Sequence, residues 1–344
     1  MEYLENKRIL VTGAAGTIGS ELVNQLLNNE EYLPKEVVAI DNNESELFFL
    51  EQRFSGYDNA HFYISDIKDR DACFQHLEGI DIVFHVAALK HVILCERSPM
   101  QAVQTNIMGI ENLIAAAKYH KVEKFVFTSS DKAVNPTNVM GTSKLMGERL
   151  VTAANSSQKQ SNTIFVSTRF GNVLGSNGSV IPIFRKQIEN MESLTLTDER
   201  MTRFVMSIKE AVKLLIDSGK YAKGGEVFVT KMPVIRIKDL AEVLIEELAP
   251  SLGIDPADIK INVIGSKPGE KMYEELMSDE ETSRAIELKE YFSVLPAFRG
   301  VYKDINYEYE DVISDVVENP YVSEKEPFLT HDELKTFLIN NKLI

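Results

Sequence analysis

Eight residues, Thr12-Gly13-Ala14-Ala15-Gly16-Thr17-Ile18-Gly19, join a β-branched apolar run, Arg8–Thr12, to an amphipathic stretch, Ile18–Asn28. Glycines at this G-x-x-G-x-x-G spacing permit a tight turn, let backbone approach a pyrophosphate and allow helix to pack closely on strand. The helix that opens there presents free N–H groups to phosphate oxygens. A glycine-rich turn alone says little; between a strand and a helix it predicts a dinucleotide site. Gly13, Ala15, Gly16, Thr17, Ile18 and Gly19 are the expected cofactor contacts in this turn.

The same alternation continues along the first half. Glu36–Ile40, His61–Ser65, Ile80–Val86, Lys124–Thr128 and Thr163–Thr168 read as buried strands. Glu44–Phe54, Arg70–Leu77, Met100–His120 and Val139–Asn155 lie between them and have the apolar spacing of helices. Strand–helix alternation predicts an α/β fold with a parallel, doubly wound Rossmann sheet. The rhythm loosens near Phe170. The expected division is a dinucleotide-binding domain over 1–170 and a smaller, discontinuous substrate domain over 171–344. A helix over Ile181–Met191, a strand over Leu194–Thr197 and a strand over Glu226–Thr230 are expected in the second part, with 226–230 returning to the main sheet.

Charge narrows the partners. The 344 residues carry 37 basic and 52 acidic side chains, a net charge of −15, which argues against non-specific nucleic-acid binding and against anionic lipid. Ten acids against four lysines fall between Lys303 and Lys342. Cys73 and Cys95 have no disulfide or metal-ligand pattern, and no apolar run is long enough to span a membrane. The start of the chain has no signal-peptide core. A soluble protein of a reducing compartment, the cytoplasm, is expected, with no metal.

Three strand ends complete the cofactor expectation. Asp41 ends the second strand, where a carboxylate accepts from a ribose 2′-hydroxyl and repels a 2′-phosphate, so NAD is favoured over NADP. The competing role is capping the next helix, which Asn42 and Asn43 can also do. Asp66 and Ile67 close the third strand, within reach of an adenine. His85, Val86, Ala87 and Ala88 close the fourth, where small residues let a cofactor lie on backbone.

The densest chemistry lies in FTSSDKAVNPTNVMGTSK, Phe127 to Lys144. Ser130 follows the fifth strand at the end where open α/β sheets bind ligands. Asp131 and Lys132 place a carboxylate and an amine beside it. Met140 and Lys144, one helical turn apart, share a face. Acid–base work at a strand end is the reading preferred over a solvated ion pair.

With these residues in view, the chain resembles an extended short-chain dehydrogenase/reductase, and more narrowly the bacterial UDP-N-acetylglucosamine 4,6-dehydratases of polysaccharide synthesis. The matching segments are TGAAGTIGSEL, HVAALKHV, TNIMG, SSDKAVNPTNVMGTSK, TRFGNVLGSNGSVIP, TDERMTRFVMS, GGEVFV and KPGEKMYEEL, from residue 7 to about 278. The tail beyond Glu290 matches no motif. The resemblance implies an NAD-recycling lyase acting on a nucleotide sugar, and an oligomer. It implies Lys132 as the base at C5 of the sugar, Asp131 as the acid at the C6 oxygen, and Lys144 at the nicotinamide ribose. Lys132 must then be partly neutral, which burial or nearby Lys144 is expected to favour. The superfamily's catalytic tyrosine is replaced by Met140, whose thioether takes no proton, so Asp131, or Ser130 acting as a relay, becomes the candidate for the C4 hydroxyl proton.

By the same resemblance Asn172 and Arg203 meet the nucleotide diphosphate, Lys267 and Glu270 meet phosphate and ribose, and Asn106 holds the site's architecture beside the substrate. The bland alternative for Arg203 is a surface ion pair with Asp198 or Glu199. Lys90 meets either the cofactor ribose or the substrate phosphates. The competing functions are a nucleotide-sugar 4-epimerase or reductase, a dehydratase of GDP-linked sugars, and a silent NAD-binding regulator.

Overall fold

The computed structural model describes residues 2–157, 162–176, 178–265, 269–298 and 305–344. Strands β1 (Arg8–Thr12), β2 (Glu36–Asp41), β3 (Ala60–Ile64), β4 (Ile82–His85), β5 (Lys124–Ser130) and β6 (Ile164–Phe170) pair in parallel in the order β3-β2-β1-β4-β5-β6. Both faces are covered, which explains why these strands read as continuous apolar runs. Ile9 and Val11 enter one buried cluster, and Leu10 between them enters the other.

The intervening helices are α1 (Thr17–Asn28), α2 (Glu44–Arg53), α3 (Arg70–His76), α4 (Val92–Arg97), α5 (Pro99–Val103), α6 (Gly109–His120) and α7 (Val139–Ala154). The sequence merges 100–120 into one helix. The backbone instead inserts a π-helical segment, Gln104–Met108, between α5 and α6, and α4 has no counterpart in the sequence reading.

The part after Phe170 is split between two layers. Val227–Thr230 adds to the sheet parallel to β6, and Tyr291–Val294, Ala285–Leu288 and Val312–Ser314 follow antiparallel, giving ten strands. Ile208–Tyr221, closed at its start by a Ser207–Glu210 capping box, packs against α1 and β6. Four strands from 171–344 therefore belong to the large sheet rather than to a separate unit. The smaller layer has its own core, with Phe184, Leu244 and Leu338 contributed by Val180–Glu189, Ile237–Ser251 and His331–Asn340. No helix among the described residues is long and apolar enough to cross a membrane. Both cysteines are buried free thiols.

Candidate active site

Strand order reverses between β1 and β4, and the crevice at the carboxyl ends of the strands widens there into a cleft of about 690 Å³. Gly13 has φ +69°, and a Cβ on it would lie 2.6 Å from the backbone N and Cα of Ala87. A Cβ on Gly19 would lie 2.1 Å from the Gly13 carbonyl oxygen. The turn therefore admits no side chain at either position. Gly16, at the N-cap of α1, offers no capping side chain and the first turn holds no acid, so the helix start carries no negative charge of its own.

Gly13, Gly16, Thr17, Ile18, Asp41, Asp66, Ile67, Ala87, Ala88 and Lys90 all line the cleft. Ala15 and Gly19 do not. The Ala15 N–H donates to Asp41 Oδ2 at 3.0 Å, and Gly19 packs beneath the turn. Asp41 also accepts from Asn43 N–H at 2.9 Å, while Asn43 caps α2, so the carboxylate fastens the turn to the end of β2. Asp66 accepts the Lys68 N–H at 2.9 Å. Thr12 Oγ1 accepts from the Val86 and Ala87 N–H groups and lies 2.7 Å from His85 Nδ1, to which its own proton is free to donate. Burial, then the charge of Lys144, pushes His85 down to about 3, so the ring is neutral. These features fit a dinucleotide: a cradle that a Cβ would fill, a helix start with no acid in its first turn and a carboxylate at the rim.

The catalytic candidates meet at the far side of the cleft. β5 ends at Ser130, and a single tight turn, Asp131–Ala133, follows. Ser130 Oγ donates to Asp131 Oδ1 at 2.6 Å and accepts the Lys132 N–H at 3.2 Å. Lys132 Nζ lies 3.1 and 3.0 Å from the two Asp131 oxygens. Burial favours the neutral acid at Asp131, but Lys132 and the Ser130 hydrogen bond outweigh it and hold the carboxyl below its usual range. Burial likewise opposes the Lys132 charge, and Asp131 with Glu274 overcomes it, so this ammonium is held above its usual pKa. The expectation of a partly neutral Lys132 is thus corrected: a buried carboxylate in direct contact keeps its proton on.

Lys144 does not face Lys132. Its Nζ donates to the Thr128 carbonyl at 2.8 Å and sits 4.9 Å over the Phe127 ring. Burial, against the opposing charge of Glu148, brings it down to about 8. Met140 and Lys144 both line the cleft, as their one-turn offset requires. Asn138 caps α7 by accepting the Gly141 N–H at 2.8 Å, and Met140 packs against Cys95 and Ala102.

Asn106 is a bracket rather than a ligand contact. It is buried on the π-helical segment, accepts the Leu89 N–H at 2.8 Å, and donates to the Leu89 carbonyl and Ser143 Oγ at 2.9 Å each. This ties the loop after β4 to α7. Its polar atoms are spent on that link and it does not line the cleft, so a direct contact with substrate is not what this geometry offers.

Asn172 lines the cleft, and its Nδ2 donates to both oxygens of Glu274, at 2.7 and 2.9 Å. Arg203 does not pair with Asp198 or Glu199, which take Arg200 and Lys238 instead. Its guanidinium donates to the carbonyls of Thr202, Lys271 and Met272, and its Nε lies 3.3 Å from Glu274 Oε1. Glu270 lies 3.8 Å from Arg203 and accepts from Thr197. In this state neither Arg203 nor Glu270 lines the cleft. Lys267 lies outside the described residues.

Two groups escaped the sequence reading. Glu274 stands among Asn172, Arg203 and Lys132, buried; burial first, then the charge of Asp131, pushes its carboxyl up to about 7. Glu274 and Glu275 are indistinguishable in sequence, and only the fold turns one inward. Arg169 is fully enclosed, with Glu148 on α7 and Glu281 both held at 2.7–2.8 Å. The paired charges clamp α7, β6 and the segment after Met277 together.

Comparison with known proteins identifies the chain's relatives. Residues 9–296 match the family model described as polysaccharide biosynthesis protein. An uncharacterized membrane protein of Methanocaldococcus jannaschii is 49% identical over 86% of this chain and 87% of its own length. A UDP-N-acetylglucosamine 4,6-dehydratase (inverting) of Campylobacter jejuni is 35% identical over 88% of this chain and 86% of its own. A UDP-glucose 4-epimerase of Rickettsia bellii is 36% identical over 97% and 96%. The X-ray structure of Pen from Bacillus thuringiensis superposes with a TM-score of 0.91 at 42% identity, covering 99% of both chains. A UDP-glucuronic acid 4-epimerase from Bacillus cereus, solved with UDP-glucuronic acid and NAD, has a TM-score of 0.65 at 27% identity over 77% of this chain and 88% of that one. The chain belongs to the polysaccharide biosynthesis family of extended short-chain dehydrogenase/reductases.

Proposed function

We propose that the chain is an NAD-dependent 4,6-dehydratase of a UDP-N-acetylhexosamine, with UDP-N-acetylglucosamine the leading substrate, making a 4-keto-6-deoxy sugar nucleotide for surface polysaccharide. The observation that carries this reading is the contact of Ser130, Asp131 and Lys132 at the cleft end of β5. Dehydration needs an acid and a base on adjacent sugar carbons, and an Asp-Lys pair supplies both. The similarity to the Campylobacter dehydratase supports the same reaction.

NAD, when bound, would supply reversible hydride storage between C4 and C6 of the sugar, with no net consumption. Gly13, Gly16, Thr17, Ile18, Asp41, Asp66, Ile67, Ala87 and Ala88 would hold it, with Lys144 and Lys90 toward the nicotinamide end. In this reading the C4 hydroxyl proton passes through Ser130 Oγ to Asp131, along their 2.6 Å hydrogen bond. The 4-ketone acidifies the C5 proton, which Lys132 takes as a free amine. Asp131 delivers its proton to the C6 oxygen, which leaves as water, and Lys132 returns a proton to C5. Asn172, Arg203, Lys267 and Glu270 would grip the nucleotide, an anion that needs donors in an acidic protein. For Arg203 this means exchanging carbonyl contacts for phosphate.

The cytoplasm, which holds NAD and nucleotide sugars, is the compartment this reading implies. The exposed apolar side chains of Ile93, Leu94, Met100 and Met108 suit contact with a second copy.

The test is mass spectrometry of UDP-N-acetylglucosamine incubated with pure protein and no added cofactor. Loss of one water supports the proposal. A 4-epimerase is the second reading, favoured by the full-length similarity to the Rickettsia protein; it predicts an unchanged mass with inverted C4. Lys132→Ala should stop deuterium exchange at C5 in heavy water while substrate affinity stays within a modest factor. Exchange at the wild-type rate in that variant removes Lys132 as the base.

A further inference from the structure

The dehydratase reading leaves one proton unplaced. Lys132 must be a free amine to take the C5 proton, yet it rests as an ammonium against Asp131. Asp131 cannot take that proton as well, because in the same turnover it receives the one from the C4 hydroxyl. A second acceptor must touch Lys132.

We propose that Glu274 is that acceptor, a positioning residue that holds the proton of Lys132 while the lysine works as a base; the inference rests on the dehydratase reading. Its Oε1 lies 4.0 Å from Lys132 Nζ, and the carboxyl is buried and aimed. Asn172 Nδ2 grips both oxygens, the Phe204 N–H donates to Oε2 at 3.1 Å, and Arg203 Nε stands 3.3 Å from Oε1. Its own N–H donates to Ser323 Oγ at 2.9 Å, which anchors the backbone. Among the described residues, Lys132 and Arg203 are the cations within ion-pairing distance of it, and Asp131 is the other carboxylate acting on it. Burial and Asp131 bring it up to about 7, so its ionised and protonated forms are close in free energy near neutrality.

The balance closes. At rest Asp131 and Glu274 are ionised and Lys132 is protonated. Oxidation at C4 puts a proton on Asp131, which removes the partner that held the lysine's charge. Lys132 Nζ, released from Asp131, closes the 4.0 Å gap, and one of its N–H bonds breaks as an O–H bond forms on Glu274, whose burial still favours the neutral acid once the Asp131 charge is gone. The free amine takes the C5 proton, and Asp131 loses its own to the departing C6 oxygen. After Lys132 returns a proton to C5, Glu274 gives back the stored one. All three groups end as they began, and the water carries away the C4 hydroxyl proton. The position of Arg203 gives the exchange a trigger: drawn toward a diphosphate, its charge leaves Glu274, and the carboxyl becomes the better proton acceptor.

The experiment follows C5 exchange of UDP-N-acetylglucosamine in deuterium oxide against pH for wild type, Glu274→Gln and Glu274→Asp, together with the absorbance of reduced nicotinamide on mixing. Glu274→Gln should still reduce bound cofactor, yet exchange C5 roughly a hundredfold or more slowly near neutrality. Its rate should climb about tenfold per pH unit as Lys132 loses its proton to solvent, while wild type falls as pH drops through about 7 and Glu274 fills. Glu274→Asp should keep an acid limb, displaced from that of wild type. Wild-type exchange in Glu274→Gln, or an equal loss at every pH, overturns the inference. Should Glu274→Gln not fold, an unmoved acid limb in Glu274→Asp overturns it. A wild-type protein that neither exchanges C5 nor loses water overturns the dehydratase reading itself, which is read on a different sample.

Discussion

Gly141 stands directly on the carbonyl oxygen of Lys132: a Cβ built at 141 would lie 2.2 Å from it. The first turn of α7 thus passes over the backbone of the Asp131–Ala133 turn too closely for a side chain at 141. The backbone of Lys132 keeps its place because position 141 carries none. Gly141→Ala should therefore push the turn away, destabilise the protein by about 1–3 kcal/mol and lower turnover more than the stability loss explains. Thermal denaturation alongside steady-state turnover checks this, and full activity in the variant would show that the turn tolerates displacement.

Asp41, at the rim of the cleft, is the residue we propose sets cofactor choice. The protein should release NAD and no NADP on denaturation, as chromatography of the supernatant would reveal. Asp41→Ala should weaken NAD roughly tenfold to a hundredfold, since hydrogen bonds to a charged group contribute about 1.5–3 kcal/mol. Part of that loss reflects the turn, because the Ala15 N–H loses its acceptor. Recovery of NADP alone would remove the assignment.

Lys144 carries a pH signature. Its amine is held at about 8 by burial, against about 10.4 in an unfolded chain. Between these values the unfolded state binds more protons, so stability rises with pH across the window, by at most about 1.4 kcal/mol per unit from this group. Urea midpoints measured between about pH 8 and pH 10 should climb for wild type relative to Lys144→Met. Parallel curves would place the lysine's pKa elsewhere.

Met140 packs against Cys95 and Ala102, in a space fitted to an unbranched side chain. Met140→Tyr should give no gain in turnover and a loss from overfilling, because in the dehydratase reading the C4 proton passes through Ser130 to Asp131. A hundredfold rise at saturating substrate would instead mark methionine as a lesion in a tyrosine-dependent site.

The glycine-rich turn, the six strands and the Ser130–Lys132 run were legible in the sequence because each is a local matter. Strand periodicity, helix spacing and the stereochemistry of Gly13 depend on neighbours within a few residues, and their elements form within a residue or two of where the pattern puts them. The three sheet strands between residues 285 and 314 were not legible. They are three or four residues long and take their place by pairing across the chain with Val227–Thr230 and with one another, which leaves no period to read.

The sequence by itself determined a doubly wound sheet, a glycine-rich turn at its switch point and a Ser-Asp-Lys run at the end of β5. Only the tertiary structure decided the charge states and partnerships that chemistry depends on. Ionisation follows burial and the nearest charges, and those come from segments far apart in the chain. Glu274 reaches Lys132 across 142 positions, and Arg169 meets Glu281 across 112. Asn106, which by resemblance belongs beside the substrate, becomes a bracket because the π-helical turn points it at Leu89 and Ser143. A side chain's chemical type is written in the sequence; what it is free to do is set by what the fold brings against it.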